Sequence, residues 1–298
     1  RRVVPTMGPK AVADITLQDV LDVLRPIWTE KTETATKVRQ RIERVLDFAT
    51  VNGHRRGDNP ARWRGNLDLV LPSPVRLTGG RNYPALQIAD AACWFDALQT
   101  RGGTSARALE FQALTAARTG AVRFMTWDEI DASQQLWTIQ PGRVSSKIPP
   151  NGRLHRVPLS KAVRSLLATL PRESGNPLVF WAPRSGPLSD AAMAAVMKKM
   201  HETDLRSGGA GFLDAQLGTP AVPHGLRSTF RTWIGERTKF DGDMAEIALA
   251  HKVGSRVQQA YDRSDQVEKR RAMMEAWGQF LAGHEDERSN IVPIGSKL

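Results

Sequence analysis

The chain has 298 residues, of which 41% are hydrophobic and 24% charged, the composition of an ordinary globular protein long enough for two domains. Its 42 Lys and Arg against 31 Asp and Glu leave a net charge of +11, which favours a polyanionic partner, nucleic acid ahead of membrane. The single cysteine excludes an intrachain disulfide and a cysteine-based zinc site. No apolar run reaches the ~20 residues that span a bilayer, so we expect a cytoplasmic protein.

The first part of the chain is predicted to be helical. One helix begins after Thr16 as its N-cap and ends at Pro26. A longer helix, from about Thr34 to Val51, repeats apolar residues at helical spacing. These residues are Val38, Ile42, Val45, Leu46 and Ala49. The opposite face carries Lys37, Arg39, Arg41 and Arg44, and the following segment HRRGDNPARWRG adds further cations.

This basic helical module is suited to contact a phosphate backbone. The predicted DNA-binding residues are Lys37, Arg41, Arg44, Arg55, Arg56 and Arg62. The stretch from about Leu69 to Tyr83 has two prolines, two glycines and no sustained period, which predicts a linker. We therefore expect a DNA-binding domain over residues 1–75, a second domain over 76–283 and a polar tail over 284–298. Because the sequence begins at Arg1 and not with Met, we also expect that an N-terminal portion is missing.

The second domain is predicted to combine helices with a small antiparallel sheet. Helices are expected at IADAACWFDALQ, SARALEFQALTAAR, KAVRSLLATL and SDAAMAAVMKKM, and over most of the chain from about residue 220 to Ala282. Short β-prone segments separated by turns are expected at 123–131, 136–140 and 154–159.

Several motifs of this domain carry side chains suited to phosphate chemistry. The segment LTAARTG places Arg118 at the end of a helix, and PHGLRSTFR places His224 and Arg227 on one helical face. A hairpin-like segment presents Lys147. The stretch ALAHKVGSRVQQAYDRSD follows, with His251 and one of the chain's two tyrosines, Tyr261, among cations. Nearby positive charge favours the nucleophilic phenolate, whose ordinary pKa is ~10.

In this order, the motifs resemble the tyrosine recombinases of the phage-integrase family, in particular the integrases of prophages and genomic islands. The phrases WDEID, HRVPLS, HGLRSTFR and LAHKV also match the habits of that family. The resemblance is strong over about residues 84–283 and looser over about 10–75. It implies a mainly α fold with a small antiparallel β-sheet, in which two domains form a clamp around duplex DNA.

The resemblance implies that two arginines bind the phosphate and that a tyrosine is the nucleophile. Arg118 and Arg227 are expected to bind the scissile phosphate, because the arginine fork suits two oxygens of a phosphodiester. Tyr261 is expected to attack the phosphorus, which gives a 3′-phosphotyrosyl intermediate and a free 5′-hydroxyl. No cofactor, metal or ATP is expected, because this intermediate stores the bond energy for religation.

Roles in proton transfer and in phosphate binding are assigned to three further side chains. Lys147 is expected to protonate the leaving oxygen as general acid. His224 is expected to take or relay the tyrosine proton, and His251 to form a hydrogen bond with a phosphate oxygen. The expected function is integration or excision of a mobile element by a homotetramer on double-stranded DNA attachment sites, with a host DNA-bending protein and an excisionase as accessory partners.

One position departs from the family pattern. The family usually has an acidic residue three positions after the first arginine, where this chain has Ala121. The missing carboxylate is compatible with an engineered substitution at this position, with an attenuated enzyme, or with compensation by a nearby acid such as Asp128 or Glu129. Two alternative functions therefore stay open: a relaxing activity of the topoisomerase IB kind, and a non-catalytic or attenuated DNA-binding protein of the same family.

Overall fold

The computed structural model describes residues 3–78, 83–143, 145–184, 186–251, 253–254 and 264–284. The chain forms two compact units, Arg1–Asn82 and Tyr83–Leu298. The boundary follows Asn82 and not residue 75, because Leu71 and Leu77 pack on the core of the first unit. In the described part of the chain, no helix is long and apolar enough to cross a membrane.

The first unit is helical. Its α-helices are α1 Val3–Met7, α2 Leu17–Trp28, α3 Thr32–Val51 and α4 Pro74–Thr78. Thr16 and Asp19 form a reciprocal capping box that fixes the start of α2, as expected from a threonine N-cap. The core joins α2 and α3 to the segment that follows them, with Leu24, Leu46 and Leu67 fully or almost fully buried.

The predicted end of α2 at Pro26 is wrong. The helix continues to Trp28, although a proline inside a helix removes one backbone hydrogen bond. Trp28 is 1% exposed, and its indole Nε1 donates to the Pro72 carbonyl at 2.9 Å. Burial of a tryptophan with a satisfied N–H outweighs a lost hydrogen bond this near the helix end.

The two faces of α3 differ from the prediction at two positions. Ile42 and Leu46 are buried as expected, but Val45 is 61% exposed. Arg39, which was expected on the charged face, is buried. Its Nη1 donates to the Glu43 carboxylate at 2.8 Å and to the Ala61 carbonyl at 2.9 Å. The guanidinium is therefore a bridge between α3 and the chain that packs on it.

The second unit is mainly helical with one small sheet, which confirms the predicted fold class. Its helices are α5 Ala91–Gln99, α6 Thr104–Thr115, α7 Thr119–Arg123, α8 Lys161–Thr169, α9 Ala192–Arg206, α10 Leu226–Arg237, α11 Gly242–Ala248 and α12 Val267–Leu281. Aromatic packing joins α10 to α12, with the rings of Trp233 and Trp277 5.1 Å apart. Trp277 also donates from Nε1 to the Ala113 carbonyl of α6 at 2.8 Å.

The sheet is antiparallel with strand order β1-β2-β3. Its strands are β1 Ile130–Asp131, β2 Leu136–Ile139 and β3 His155–Pro158. Trp137 pairs with Ile130 on one side and with Val157 on the other. The predicted strand from residue 123 is wrong before Ile130, because α7 and a 3₁₀ turn at Trp127–Glu129 occupy that stretch. The loop between β2 and β3 carries Lys147.

Candidate active site

Arg227 is a buried cation of the second unit. The 3₁₀ turn Pro223–Gly225 leads into α10, and Arg227 lies in the first turn of that helix with only 5% of its surface exposed. Its Nη1 donates to the Ala116 carbonyl at 2.7 Å, and its Nη2 donates to the Leu249 carbonyl at 2.6 Å. Burial lowers the pKa of Arg227 to about 9, and the nearby charge of Arg118 adds to the effect. The group stays protonated at pH 7.

Arg118 reaches the same place from the turn after α6. The helix ends at Thr115, its C-cap Ala116 adopts φ +50°, and the chain then enters α7. Arg118 is partly buried, and its Nη2 donates to the Ala250 carbonyl at 3.2 Å. Burial also lowers the pKa of Arg118. Within the described residues, these bonds leave N–H donors on both guanidinium groups for a further acceptor.

A buried glutamine joins the two arginine-bearing turns. Gln112 is fully buried in α6, and its Nε2 donates to Thr119 Oγ1 at 3.1 Å and to the Pro223 carbonyl at 2.9 Å. Thr119 follows Arg118, and Pro223 precedes His224. One side chain therefore fixes both turns. Sequence alone does not indicate this role, because a lone glutamine in an apolar helix has no distinguishing spacing.

Three successive carbonyls at the end of α11 accept hydrogen bonds from side chains of the site. The Leu249 and Ala250 carbonyls accept from the two arginines, and the preceding Ala248 carbonyl accepts from His155. Burial lowers the pKa of His155 to about 3, and the positive charges of Arg270, Arg118 and Arg227 add to the effect. His155 is therefore neutral at pH 7 and donates to Ala248. The sequence analysis missed this histidine, although it lies in the quoted phrase HRVPLS.

His251 lies beside Arg227 and is held by an acid of α11. Its Nε2 is 3.1 Å from Arg227 Nη2, and its Nδ1 is 2.6 Å from Glu246 Oε2. The other oxygen of Glu246 accepts from Arg231 Nε at 2.7 Å. Burial opposes ionisation of Glu246, but the hydrogen bonds from His251 and Arg231 outweigh it and lower the pKa. Glu246 and Arg231 are positioning residues that the sequence analysis missed.

His224 stands on a turn that the start of the second unit covers. Its ring centroid is 4.3 Å from that of Tyr83, and the neighbouring Val222 N–H donates to the Pro84 carbonyl at 3.1 Å. A Cβ on Gly225 would lie 1.9 Å from the same carbonyl, so only glycine fits there. Burial lowers the pKa of His224 to about 4, and the charges of Arg227, Lys147, Arg118 and His251 add to the effect.

Lys147 lies on the loop after β2, and its side chain is exposed. Its backbone φ is +59°, in the left-handed region that few non-glycine residues adopt. Ser145, two residues earlier, has φ +63°. The Lys147 charge helps to lower the pKa of His224, and the same loop lies against the turn of Arg118, where a Cβ on Gly120 would meet the Ser145 carbonyl.

The structure thus brings together Arg118, Lys147, His224, Arg227 and His251. Tyr261 lies outside the described residues. The described chain resumes at Ser264, and Asp265 is fixed at once: Arg156 donates to its two oxygens from Nε at 2.6 Å and from Nη2 at 2.7 Å. Arg270, which is fully buried, lies 3.6 Å from the same carboxylate. No group of three or more His, Cys, Asp or Glu side chains within the described ranges is gathered as metal ligands would be.

The predicted DNA-binding cations belong to the first unit. Those whose side chains are exposed are Lys37, Arg41, Arg44, Arg56 and Arg62. Arg55 is the exception, since only 9% of its surface is exposed and its Nη1 donates to the Val12 carbonyl at 2.9 Å and the Ala13 carbonyl at 3.3 Å. Its guanidinium is used in hydrogen bonds within the first unit, so we withdraw Arg55 from the predicted interface.

Comparisons with known proteins extend over both units. The model of the phage integrase central domain matches residues 1–66, and the model of the phage integrase family matches residues 86–268. The chain is 27% identical over 282 residues to the prophage integrase IntZ of Escherichia coli K12, and 27% identical over 286 residues to the integrase of Shigella phage Sf6. It covers 94% of its own length in both alignments, but 63% and 67% of those relatives. The chain therefore spans about two thirds of the curated relatives.

Solved structures show the same fold. A lambda integrase dimer bound to a core site matches with a TM-score of 0.57 and 18% identity, over 85% of this chain and 84% of that chain. The Tn1549 transposon integrase in complex with circular intermediate DNA matches with a TM-score of 0.54 and 13% identity, over 86% and 88%. A lambda integrase tetramer bound to a Holliday junction gives a TM-score of 0.54 at 17% identity, over 82% and 66%.

Proposed function

This chain belongs to the phage integrase family, and on that premise we propose that it is a site-specific DNA recombinase, which cleaves and rejoins DNA strands to integrate or excise a mobile element. The observation that carries the proposal is the convergence of Arg118 and Arg227 on one site, each anchored by a carbonyl near the end of α11. Such preset donors are suited to a phosphate whose charge grows in the transition state.

The two arginines bind the non-bridging oxygens of the scissile phosphate. Arginine offers several N–H groups in a fixed plane, and the carbonyl bonds of Arg118 and Arg227 set those planes before DNA binds. Loss of one preorganised donor of this kind costs ~3 to 4 kcal/mol, or about a hundred- to a thousandfold in rate.

Tyr261 supplies the nucleophile. Its phenolic oxygen bonds to the phosphorus as the bond from phosphorus to the 5′-oxygen breaks, which leaves a 3′-phosphotyrosyl intermediate. His224, neutral at pH 7 because of its pKa of about 4, accepts or relays the phenol proton. The ammonium of Lys147 gives a proton to the departing 5′-oxygen. Reversal of these steps with the 5′-hydroxyl of another strand completes the exchange.

Binding to DNA uses the exposed cations of the first unit, Lys37, Arg41, Arg44, Arg56 and Arg62. We propose that the catalytic unit binds the same duplex. A homotetramer on paired attachment sites carries out strand exchange, and the likeness of the fold to a lambda integrase tetramer bound to a Holliday junction supports this assembly. A host DNA-bending protein and an excisionase complete the set of proposed partners.

A suicide substrate tests the proposal. In such a nicked duplex, the short strand diffuses away after cleavage and the covalent adduct accumulates. We expect the wild-type protein to form an adduct whose modified peptide contains Tyr261, and Tyr261→Phe to form none while it binds the same DNA. Adducts of undiminished yield with Tyr261→Phe would refute the assignment of the nucleophile.

Two alternatives make different predictions in the same assays. A relaxing enzyme of the topoisomerase IB kind relaxes supercoils as a monomer and forms no synaptic complex of two DNA sites. A non-catalytic DNA-binding protein of the family, which Ala121 favours, binds the attachment site and forms no adduct at all. Gel filtration of the DNA complex and adduct assays on the wild-type protein separate the three functions.

A further inference from the structure

A buried ion pair lies at the base of the loop that carries Lys147. Arg143 Nε is 2.6 Å from Glu129 Oε1, and each side chain is 11% exposed. Removing two charges from water costs several kcal/mol per ion unless the pair is well satisfied, and an apolar pair is often as stable. A gain in folding stability therefore does not explain why this ion pair is buried here.

The acid of the pair is fixed to the scaffold. The second oxygen of Glu129 accepts from Trp137 Nε1 at 2.9 Å and from the Thr126 backbone N–H at 3.3 Å. Trp137 is fully buried in the central strand β2. Glu129 is thus held from the strand and from the turn before it, and it offers its remaining oxygen toward the loop.

The arginine of the pair reaches the turn of Arg118. Arg143 Nη1 donates to the Ala121 carbonyl at 2.9 Å, and Ala121 is buried in α7. The loop lies against this turn so closely that a Cβ on Gly120 would stand 2.4 Å from the Ser145 carbonyl oxygen. Arg143 therefore links the scaffold acid to the helix that begins immediately after Arg118.

The same arginine is linked to Lys147 by short bonds inside the loop. The Arg143 carbonyl accepts from the Ser146 N–H at 3.2 Å and from Ser146 Oγ at 2.9 Å. Ser146 Oγ in turn accepts from the Ile148 N–H at 3.2 Å. The left-handed backbone at Ser145 and Lys147 needs such surrounding support, because residues other than glycine adopt it only with strain.

We propose that Arg143 is a positioning residue that, held by Glu129, docks the Lys147 loop on the Arg118 turn and so aims the lysine at the departing 5′-oxygen. The inference rests on the proposed function, since it assigns to Arg143 the placement of the general acid of that reaction. It also identifies Glu129, and not the exposed Asp128, as the carboxylate that serves the region around Ala121.

The test uses a substrate that needs no general acid. When sulfur replaces the bridging 5′-oxygen, the bond from phosphorus to sulfur breaks and a thiolate leaves without a proton, because a thiol has a pKa of ~8.5. A variant that has lost only the aim of Lys147 is slow on the oxygen substrate and regains the wild-type rate on the sulfur substrate. A variant with a displaced Arg118 is slow on both.

We expect Arg143→Ala to cleave the oxygen suicide substrate about a hundredfold more slowly than the wild type, the size of effect of a 1 Å misplacement. We expect the sulfur substrate to restore its rate, as for Lys147→Ala, while Arg143→Lys falls between. Arg107→Ala is the matched control, because the Arg107–Glu110 pair has the same 2.6 Å separation and lies at the opposite end of α6 from Arg118. It should cleave both substrates at the wild-type rate.

Three outcomes overturn the proposal. These are a wild-type rate of Arg143→Ala on oxygen, a deficit that persists on sulfur, and an equal deficit in Arg107→Ala. If Arg143→Ala does not fold, Glu129→Gln decides by the same pattern, since glutamine keeps an oxygen for Trp137 but loses the charge. If the wild type forms no adduct on either substrate, the proposed function fails and this role with it. That result differs from a failure confined to the variants.

Discussion

Arg227 and His251 are joined by a contact of 3.1 Å between Nη2 and Nε2. A guanidinium has no acceptor, so Nε2 must accept and the imidazole proton must lie on Nδ1. This assignment agrees with the 2.6 Å contact of Nδ1 with the Glu246 carboxylate, which can only accept when ionised. His251 is therefore held in the tautomer that faces Arg227, and it needs a second proton or a new partner before it donates to a phosphate oxygen.

Glu246→Gln tests this tautomer. The amide N–H₂ of glutamine can donate to Nδ1, which moves the imidazole proton to Nε2, where it meets the donor of Arg227. We expect adduct formation to slow about a hundredfold, the lower end of the contribution of a positioned acid or base. Single-turnover cleavage at saturating DNA measures it. Glu236→Gln, an exposed acid of α10, is the control, and equal rates for the two variants would contradict the assignment.

Arg227→Lys should lose most of the cleavage rate. Lysine cannot reproduce the planar fork that donates to the Ala116 and Leu249 carbonyls, so the charge survives but its placement does not. We expect a rate about a hundred- to a thousandfold lower with DNA binding largely kept. Arg206→Lys, on the exposed end of α9, should cleave at the wild-type rate. A near-normal rate of Arg227→Lys would show that charge alone suffices.

The neutral His155 predicts a pH-dependent stability. Its pKa is about 3 in the folded protein against ~6.5 when unfolded, so between these values the unfolded chain binds the extra proton. Stability is therefore complete above pH 6.5 and falls as the pH drops toward 3. We expect His155→Gln to reduce the slope of unfolding free energy against pH by up to ~1.4 kcal/mol per pH unit. Urea unfolding between pH 4.5 and 7 measures the slope, and an unchanged slope would refute a neutral His155.

Asp265→Asn should destabilise the second unit near the start of α12. The substitution leaves the fully buried Arg270 without its carboxylate, which typically costs about 3 to 5 kcal/mol. For a unit of this size, that corresponds to a Tm lower by roughly 6 to 20 °C. Because Asp265 lies four positions after Tyr261, cleavage should also slow equally on oxygen and sulfur substrates. Glu268→Gln, whose side chain is 81% exposed, is the control. An unaltered Tm for Asp265→Asn would be inconsistent with this role.

Arg41 and Arg55 should separate a DNA contact from a structural arginine. Arg41→Ala removes an exposed cation, so we expect weaker binding and a slope of log affinity against log salt reduced by about 1. Arg55→Ala removes a buried guanidinium that donates to two carbonyls, so we expect lower stability and an unchanged salt slope. Fluorescence anisotropy over a salt series, with thermal unfolding, measures both. The reverse pattern would restore Arg55 to the interface.

Sequence reasoning succeeds where a residue's chemistry is local. The spacing of His224 and Arg227, the Thr16 cap of α2 and the short β-prone segments at β2 and β3 depend on neighbours along the chain, and the fold class follows from them. Arg118 and Arg227 were identified by motif. Their convergence on the α11 carbonyls depends on how distant segments pack, and no local pattern encodes it.

The errors share a physical cause. Arg39 and Arg55 were placed on the surface because charged side chains rarely stay buried, but an arginine has a long apolar stem and five donors that backbone carbonyls can satisfy. Gln112 and Glu246 were missed as positioning residues for the converse reason, and the choice between Asp128 and Glu129 stayed open. A single acid or amide gains a role only through the partner that folding brings to it, over sequence separations as large as that between Gln112 and Pro223.

The close approach of Pro84 to Gly225 determines where a fragment that contains only the second unit should begin. The family match begins at residue 86, and a gene fragment cut at that point would omit the Tyr83 ring beside His224 and the Pro84 carbonyl that receives the Val222 N–H. The shortened polypeptide would keep every proposed catalytic side chain and still present the histidine turn uncovered to water. A fragment that keeps this turn covered must therefore begin before Tyr83.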